Sequence, residues 1–68
     1  MKTLSGKAFA KALENHGWKL ARVHGSQHVY TKENRVERIS LPIHGNQAIK
    51  AGLLKHLMKV AGLKETDL

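Results

Sequence analysis

The chain has 68 residues, with 12 lysines and arginines against 5 aspartates and glutamates and a formal net charge of +7. This length predicts one domain, spanning residues 1–68, with one core and no room for a separate cofactor module. The absence of cysteine excludes disulfides and thiolate metal sites and is compatible with a reducing cytoplasm, where we expect the protein. No apolar run approaches the roughly 20 residues of a membrane span, and the positive charge predicts a polyanionic partner.

A first helix is predicted over about residues 6–16. Ser5 precedes it and suits an N-cap, because its hydroxyl can accept a hydrogen bond from a free first-turn N–H. Gly17 follows it and suits the left-handed position that ends a helix, which lets Trp18 fold back on the last turn. The apolar stripe that this helix would bury consists of Phe9, Ala12 and Leu13.

The middle of the chain alternates in polarity with a period of two, which predicts strands. Residues 18–32 form a predicted hairpin whose turn is Gly25-Ser26. After a polar second turn, a third strand is predicted at about 36–42. Pro42 should end its ladder, because proline has no N–H to donate.

The last helix is predicted from about Ala48 or Lys50 to Ala61, with Gly62 as its C-cap and residues 64–68 as a frayed tail. The element order is therefore α-β-β-β-α. Two amphipathic helices need one shared surface to cover, and this predicts an α+β fold. In it, a three-stranded antiparallel sheet carries both helices on one face and leaves the other face open.

The strand alternation also predicts which side chains lie on the open face. It separates two sets, the aliphatic Val29, Ile39 and Leu41 and the intervening His28, Tyr30, Arg38 and Ser40. If the aliphatic set faces the helices, the intervening set lies on the open face. The imidazole of His28 would then stand among cations, outside the core.

His28 is the leading candidate for chemistry. The pKa of a free imidazole, about 6.5, lets it accept and donate protons near neutrality. RNA carries its own nucleophile: a base removes the 2′-OH proton and an acid protonates the leaving 5′ oxygen, while cations stabilise the phosphoryl charge. No metal is required for this reaction. The alternative is an ordinary exposed histidine on a strand.

Three other side chains are candidates for the second proton transfer: Tyr30, His24 and His44, in falling order. Tyr30 could also stack on a base, although a half-buried tyrosine is common in sheets. A zinc site built from His24, His28 and His44 would need three imidazoles to converge without cysteine or a carboxylate, so we expect no metal site.

Basic residues occur in every predicted element, which differs from the single charge run of a disordered tail. Spread in this way they could line a groove on a folded surface, and we expect the set to contact phosphates. The residues chosen for phosphate contact are Arg22, Lys32, Arg38 and Lys55.

Several segments together resemble the HicA-type toxins of bacterial toxin–antitoxin systems. The matching segments are Gly17-Trp18, the strand with Arg22, Gly25-Ser26-Gln27-His28, Leu41-Pro42-Ile43-His44-Gly45 and residues 52–63. Each motif is modest alone, but their order and spacing in so short a chain are fairly specific. The resemblance covers nearly the whole chain and implies a fold like that of double-stranded-RNA-binding domains.

The resemblance also implies a function, that of an mRNA interferase that blocks translation. It makes His28 the catalytic histidine, because the Gly-Ser-x-His motif of the family ends in it. Many members carry a second histidine where this chain has Gln27, so one possible helper is missing. The implied partners are mRNA and a HicB-type antitoxin that covers the active surface, with no cofactor.

Two other functions stay open from the sequence. A non-catalytic RNA-binding module would use the basic open face, bind RNA with a strong salt dependence and tolerate loss of His28. A domain that binds an acidic protein partner would show no RNA binding at physiological salt.

Overall fold

The computed structural model describes residues 3–68. In chain order its elements are helix α1 (Gly6–Asn15), strands β1 (Lys19–His24), β2 (Gln27–Thr31) and β3 (Ile39–Pro42), helix α2 (Ala51–Ala61) and a short 3-10 helix (Glu65–Asp67). The predicted α-β-β-β-α order is confirmed. The prediction that residues 64–68 form a frayed tail is wrong, because the Lys64 amide donates a hydrogen bond to the Asp67 carboxylate at 2.8 Å and closes a turn.

Helix α1 begins at Gly6 as predicted and ends at Asn15, one residue before the predicted end. The Ser5 hydroxyl accepts a hydrogen bond from the Ala8 amide at 3.1 Å, which satisfies one of the free first-turn donors. At the other end Gly17 has a φ of 91°, and the Trp18 amide donates to the Leu13 carbonyl at 3.0 Å. This return of the chain carries Trp18 under the helix, where it is buried.

Helix α2 starts later than predicted, with Lys50 as an extended N-cap that makes no side-chain capping bond. It ends as predicted at Gly62, whose φ is 72°. The Leu63 amide then donates to the Met58 carbonyl at 2.9 Å, so Leu63 is turned back into the core. Within residues 3–68 no helix has the length and apolar character to cross a membrane.

The sheet is antiparallel with the order β1-β2-β3. The register between β1 and β2 shifts between Leu20 and Arg22, which leaves Ala21 as an extra residue and breaks the simple alternation predicted for this strand. Strand β3 is shorter than predicted, since residues 36–38 precede it as irregular chain, and it does end at Pro42.

The open-face prediction for His28 and Tyr30 is wrong. His28 pairs with Leu41 and Tyr30 pairs with Ile39, and side chains of directly paired residues lie on the same face of a sheet. Leu41 and Ile39 are buried, so all four side chains lie on the face that carries the helices, called here the helix-bearing face. The physical reason is that the large ring of Tyr30 is buried and Val29 is not. Val29 pairs instead with the exposed Ser40 on the open face.

The core forms between the helix-bearing face and both helices. Its largest fully buried side chains come from α1, the following turn, β3 and α2: Phe9, Leu13, Trp18, Ile39, Leu41 and Leu54. Because one cluster joins both helices to the same strand residues, the helices cover a single face, as predicted.

Two cationic side chains from the β2–β3 connection lie over the ring of Trp18. Lys32 Nζ lies 5.9 Å and Arg35 Cζ 5.6 Å from the ring centroid, within the range of cation–π attraction. Arg35 also donates to the Val60 carbonyl of α2 and to the Glu37 carboxylate, both at 2.9 Å. Arg35 therefore ties the connection to α2 across the edge of the core.

Candidate active site

His28 lies at the border between the covered and the open part of the helix-bearing face. A row of paired residues crosses the sheet there, from Leu41 on β3 through His28 to Val23 on β1. Leu41 is 0% exposed, His28 is partly buried and Val23 is 52% exposed. The helices therefore cover the β3 side of this face and leave the β1 side accessible. Leu20, on the same side, is 46% exposed.

The hairpin turn holds the imidazole of His28 in one orientation. His28 Nδ1 lies 3.3 Å from the Ser26 carbonyl oxygen, at the long end of the hydrogen-bond range. A carbonyl oxygen can only accept, so Nδ1 carries the hydrogen in this contact. In the neutral ring Nε2 then holds the lone pair and is free to accept a proton from another molecule.

The end of β3 is fastened to the same turn. The Ser26 carbonyl also accepts a hydrogen bond from the Ile43 amide at 2.9 Å, directly after β3. The first residue of α1 approaches this point as well. A Cβ built on Gly6 would lie 2.6 Å from the Pro42 carbonyl oxygen and 3.0 Å from a side-chain carbon of Ile43. Three elements thus meet beside the candidate imidazole.

The three candidates for the second proton transfer have different surroundings. Tyr30 is 3% exposed, and burial, with a smaller contribution from the charge of Glu14, raises its pKa. His24 is exposed but pairs with Gln27, on the face opposite His28. His44 is exposed and follows the residue that bonds to Ser26. In the described chain no group of three His, Cys, Asp or Glu side chains could hold a metal ion.

The side chain at motif position 27 is turned away from His28. Neighbouring strand residues point to opposite faces, and the Gln27 side chain lies with Ser40 on the open face. There Gln27 Oε1 accepts a hydrogen bond from the Ser40 hydroxyl at 2.9 Å. The Gln27 side chain therefore links β2 to β3 on the face that carries no helix.

The four predicted phosphate contacts come from different segments of the chain. Arg22 is exposed on the edge strand β1, and Arg38 is exposed in the irregular segment before β3. Lys55 is exposed on α2, whereas Lys32 is partly buried against Trp18. Three of the four are therefore exposed, and all four contribute to the positive field of the molecule.

A comparison with protein families places these features in a known group. A family described as the HicA toxin of bacterial toxin–antitoxin systems matches residues 6–63. The match runs from the first residue of α1 to just beyond α2, and it includes the hairpin turn with His28. The chain belongs to the HicA toxin family. It is therefore a toxin of a toxin–antitoxin system, which implies an antitoxin as its partner. A search of curated proteins finds no match.

Proposed function

We propose that this toxin is a metal-independent endoribonuclease that cleaves mRNA in the cytoplasm and so inhibits translation. The observation that carries the proposal is the orientation of His28. Its Nδ1 faces the Ser26 carbonyl, and its ring lies at the border of the accessible part of the helix-bearing face. A partly buried imidazole with Nε2 free is the kind of group that acid–base cleavage of RNA requires.

In this reaction Nε2 of His28 accepts the proton of a ribose 2′-OH. The 2′ oxygen then forms a bond to the adjacent phosphorus, and the bond from phosphorus to the 5′ oxygen of the next nucleotide breaks. A protonated group gives its proton to that leaving oxygen. The products are a 2′,3′-cyclic phosphate and a free 5′-OH, so atoms and protons balance without a cofactor.

Among the candidates for the acid, we favour His44. Tyr30 is almost wholly buried, and its raised pKa makes it a poor proton donor near pH 7. The side chain of His24 lies on the opposite face from His28. The Ile43 amide, directly before His44, and His28 Nδ1 share the Ser26 carbonyl as a partner. His44 is thus the candidate left by burial and by the face of the sheet, and its chain segment is fastened to the same turn as the base.

We propose that the basic residues attract and orient the RNA. The net charge of +7 favours association with any polyanion, and Arg22, Arg38 and Lys55 are exposed and so free to contact phosphates. Lys32 is held against Trp18, so its contribution would be chiefly to the field around the sheet edge.

The antitoxin, a HicB-type protein in this proposal, would cover the accessible side of His28. Val23 and Leu20 are exposed aliphatic side chains on that side, and the chain as a whole has a net charge of +7. An acidic partner with apolar contacts of its own fits such a surface. Co-purification of the toxin with the product of the neighbouring reading frame tests the pairing.

The decisive test is the His28→Ala variant in an assay of RNA cleavage with purified protein. Loss of a general acid–base group should lower the cleavage rate by about 10²–10⁴-fold. His56→Ala is the matched control, because His56 is an exposed histidine on α2 away from the hairpin turn. EDTA should change neither rate. Undiminished cleavage by His28→Ala would refute its role, and RNA binding by wild type without any cleavage would favour the non-catalytic module.

The role of His44 is tested by the pH dependence of cleavage. A base and an acid together give a bell-shaped profile, in which the alkaline side reports loss of the proton from the acid. His44→Ala should therefore lower the rate and remove the alkaline decline, whereas His24→Ala should keep the decline. An unchanged bell-shaped pH profile in the His44→Ala variant would exclude His44 as the acid.

A further inference from the structure

A cavity of about 340 Å³ opens between the end of β3, the following loop and the start of α2. Its apolar lining consists of Pro42, Ala48, Ile49 and Leu53, and its polar lining, called here the rim, consists of His44, Gln47 and Lys50. Ile49 is buried, whereas Leu53 keeps 37% of its surface exposed even though it lies in the wall of a cavity. Nothing in the cleavage reaction described above uses the wall of this cavity.

The lining of this cavity matches the chemistry of a nucleobase. A nucleotide presents the two apolar faces of its base, a base edge of hydrogen-bond donors and acceptors, and a phosphate on its sugar. The aliphatic wall can contact a face, the Gln47 amide can donate and accept at an edge, and the Lys50 ammonium can meet a phosphate. The volume also lies within the roughly 300–1,000 Å³ typical of sites for small organic ligands.

The position of the cavity relates it to the bond that would be cleaved. Pro42, in its wall, is followed by Ile43, whose amide shares the Ser26 carbonyl with His28 Nδ1. His44, on its rim, is the group that we favour as the acid acting on the leaving 5′ oxygen. The nucleotide that carries this oxygen is the one that follows the cleaved bond, so His44 acting as the acid would bring that nucleotide to the rim.

We propose that this cavity binds one unpaired nucleobase of the RNA, that of the nucleotide following the cleaved bond. The inference rests on the proposed function, because it takes RNA as the substrate. It assigns Gln47, Lys50 and Leu53 to substrate binding and leaves proton transfer to the histidines. The cavity would thereby fix the register of the strand relative to His28.

Titration with mononucleotides, followed by amide NMR, tests the location without any need for cleavage. The probes are adenosine 5′-monophosphate and ribose 5-phosphate, which differ only in the base. The amides of Gln47, Ala48 and Leu53 should shift with the nucleotide and not with the sugar phosphate. Equal shifts with both probes, or base-dependent shifts confined to other parts of the chain, would overturn the proposal.

A substrate with one possible cleavage point tests the register. In a DNA strand with a single ribonucleotide only one 2′-OH can attack, so the position of the cut is fixed. Removing the base after that ribonucleotide should lower kcat/KM for wild type by about tenfold, within the range for loss of one base contact. The Gln47→Ala, Leu53→Ala double variant should lose this discrimination, whereas Lys11→Ala, an exposed lysine on α1, should keep it.

The two proposals can fail separately. Base-dependent shifts at the cavity in a protein that cleaves no RNA would leave the base site standing and refute the nuclease. If RNA cleavage depends on His28 but no amide at the cavity shifts with the base, the nuclease proposal stands and the base site is refuted. The thermal unfolding of each variant is measured alongside, and Gln47→Glu provides a second, charge-repelling change if the double variant is unstable.

Discussion

The close approach of α1 to the end of β3 makes a testable prediction about Gly6. In most helices an alanine in place of glycine is stabilising, because glycine loses more backbone entropy on folding. Here the added Cβ would lie 2.6 Å from the Pro42 carbonyl oxygen, whereas real Cβ atoms essentially never lie within 3.0 Å of another heavy atom outside their local chain. The helix or the strand end must therefore move by at least about 0.4 Å.

Neither neighbour is free to make that movement at little cost. The Pro42 carbonyl belongs to the last residue of β3, and the next amide, that of Ile43, is bonded to Ser26 at 2.9 Å. Overpacking of this kind costs about 1–3 kcal/mol, which outweighs the gain in helix propensity. In a domain of this size each 1 kcal/mol lowers Tm by about 4–8 °C. We expect Gly6→Ala to destabilise the protein.

The same molecule supplies the control. Gly52 lies in the first turn of α2, and a Cβ built there meets nothing within 4 Å. Gly52→Ala should stabilise the protein by about 0.4–1 kcal/mol. Urea unfolding followed by fluorescence of the single tryptophan, Trp18, measures both variants. A Gly6→Ala protein at least as stable as wild type would refute the close-approach reasoning, and opposite signs for the two variants would support it.

Two further predictions concern the edge of the core. Burial, and secondarily the charge of Glu14, raises the pKa of Tyr30 above its ordinary value of 10.0. At pH 10 the sole tyrosine should therefore show less tyrosinate absorbance in the folded than in the unfolded protein. Its contribution to folding stability, fully present below pH 10, should be lost as the pH rises further. A normal titration would contradict the burial. Arg35→Ala removes the bond to the Val60 carbonyl and one cation over Trp18, and should cost about 1 kcal/mol in urea unfolding. Arg35→Lys keeps the charge but cannot reproduce the guanidinium bonds to both Val60 and Glu37, so it should recover only part of that loss.

Much of the fold was predictable because its signals are local. The N-cap at Ser5 and the left-handed glycines at 17 and 62 act through the residues next to them, and a single sequence carries that information. The start of α2 was predicted less well. The segment before it forms a bridge between Ala48 and Ser5, a contact between distant parts of the chain that periodicity does not indicate.

The face of the sheet on which His28 lies was predicted wrongly for a physical reason. Alternation fixes which residues of one strand share a face, but not which of the two faces meets the helices. Val29 and Tyr30 were both plausible core residues of β2, and aliphatic character favoured Val29. The register with β3 places Tyr30 on the helix-bearing face, because Tyr30 pairs with Ile39. The size of the tyrosine ring was the signal that could have indicated this, since large aromatic residues bury the most apolar area.

This correction changes how the motif Gly25-Ser26-Gln27-His28 works. Because strand neighbours point to opposite faces, a histidine at position 27 would lie on the open face and could not directly share a substrate with His28. The absence of a second histidine at position 27 therefore removes nothing from the helix-bearing face. Gln27 has its own bond to Ser40 across the open face. A partner for His28 must come from a segment that reaches the border of the helices, and the loop after β3, fastened to Ser26 through Ile43, brings His44 to that end of the sheet.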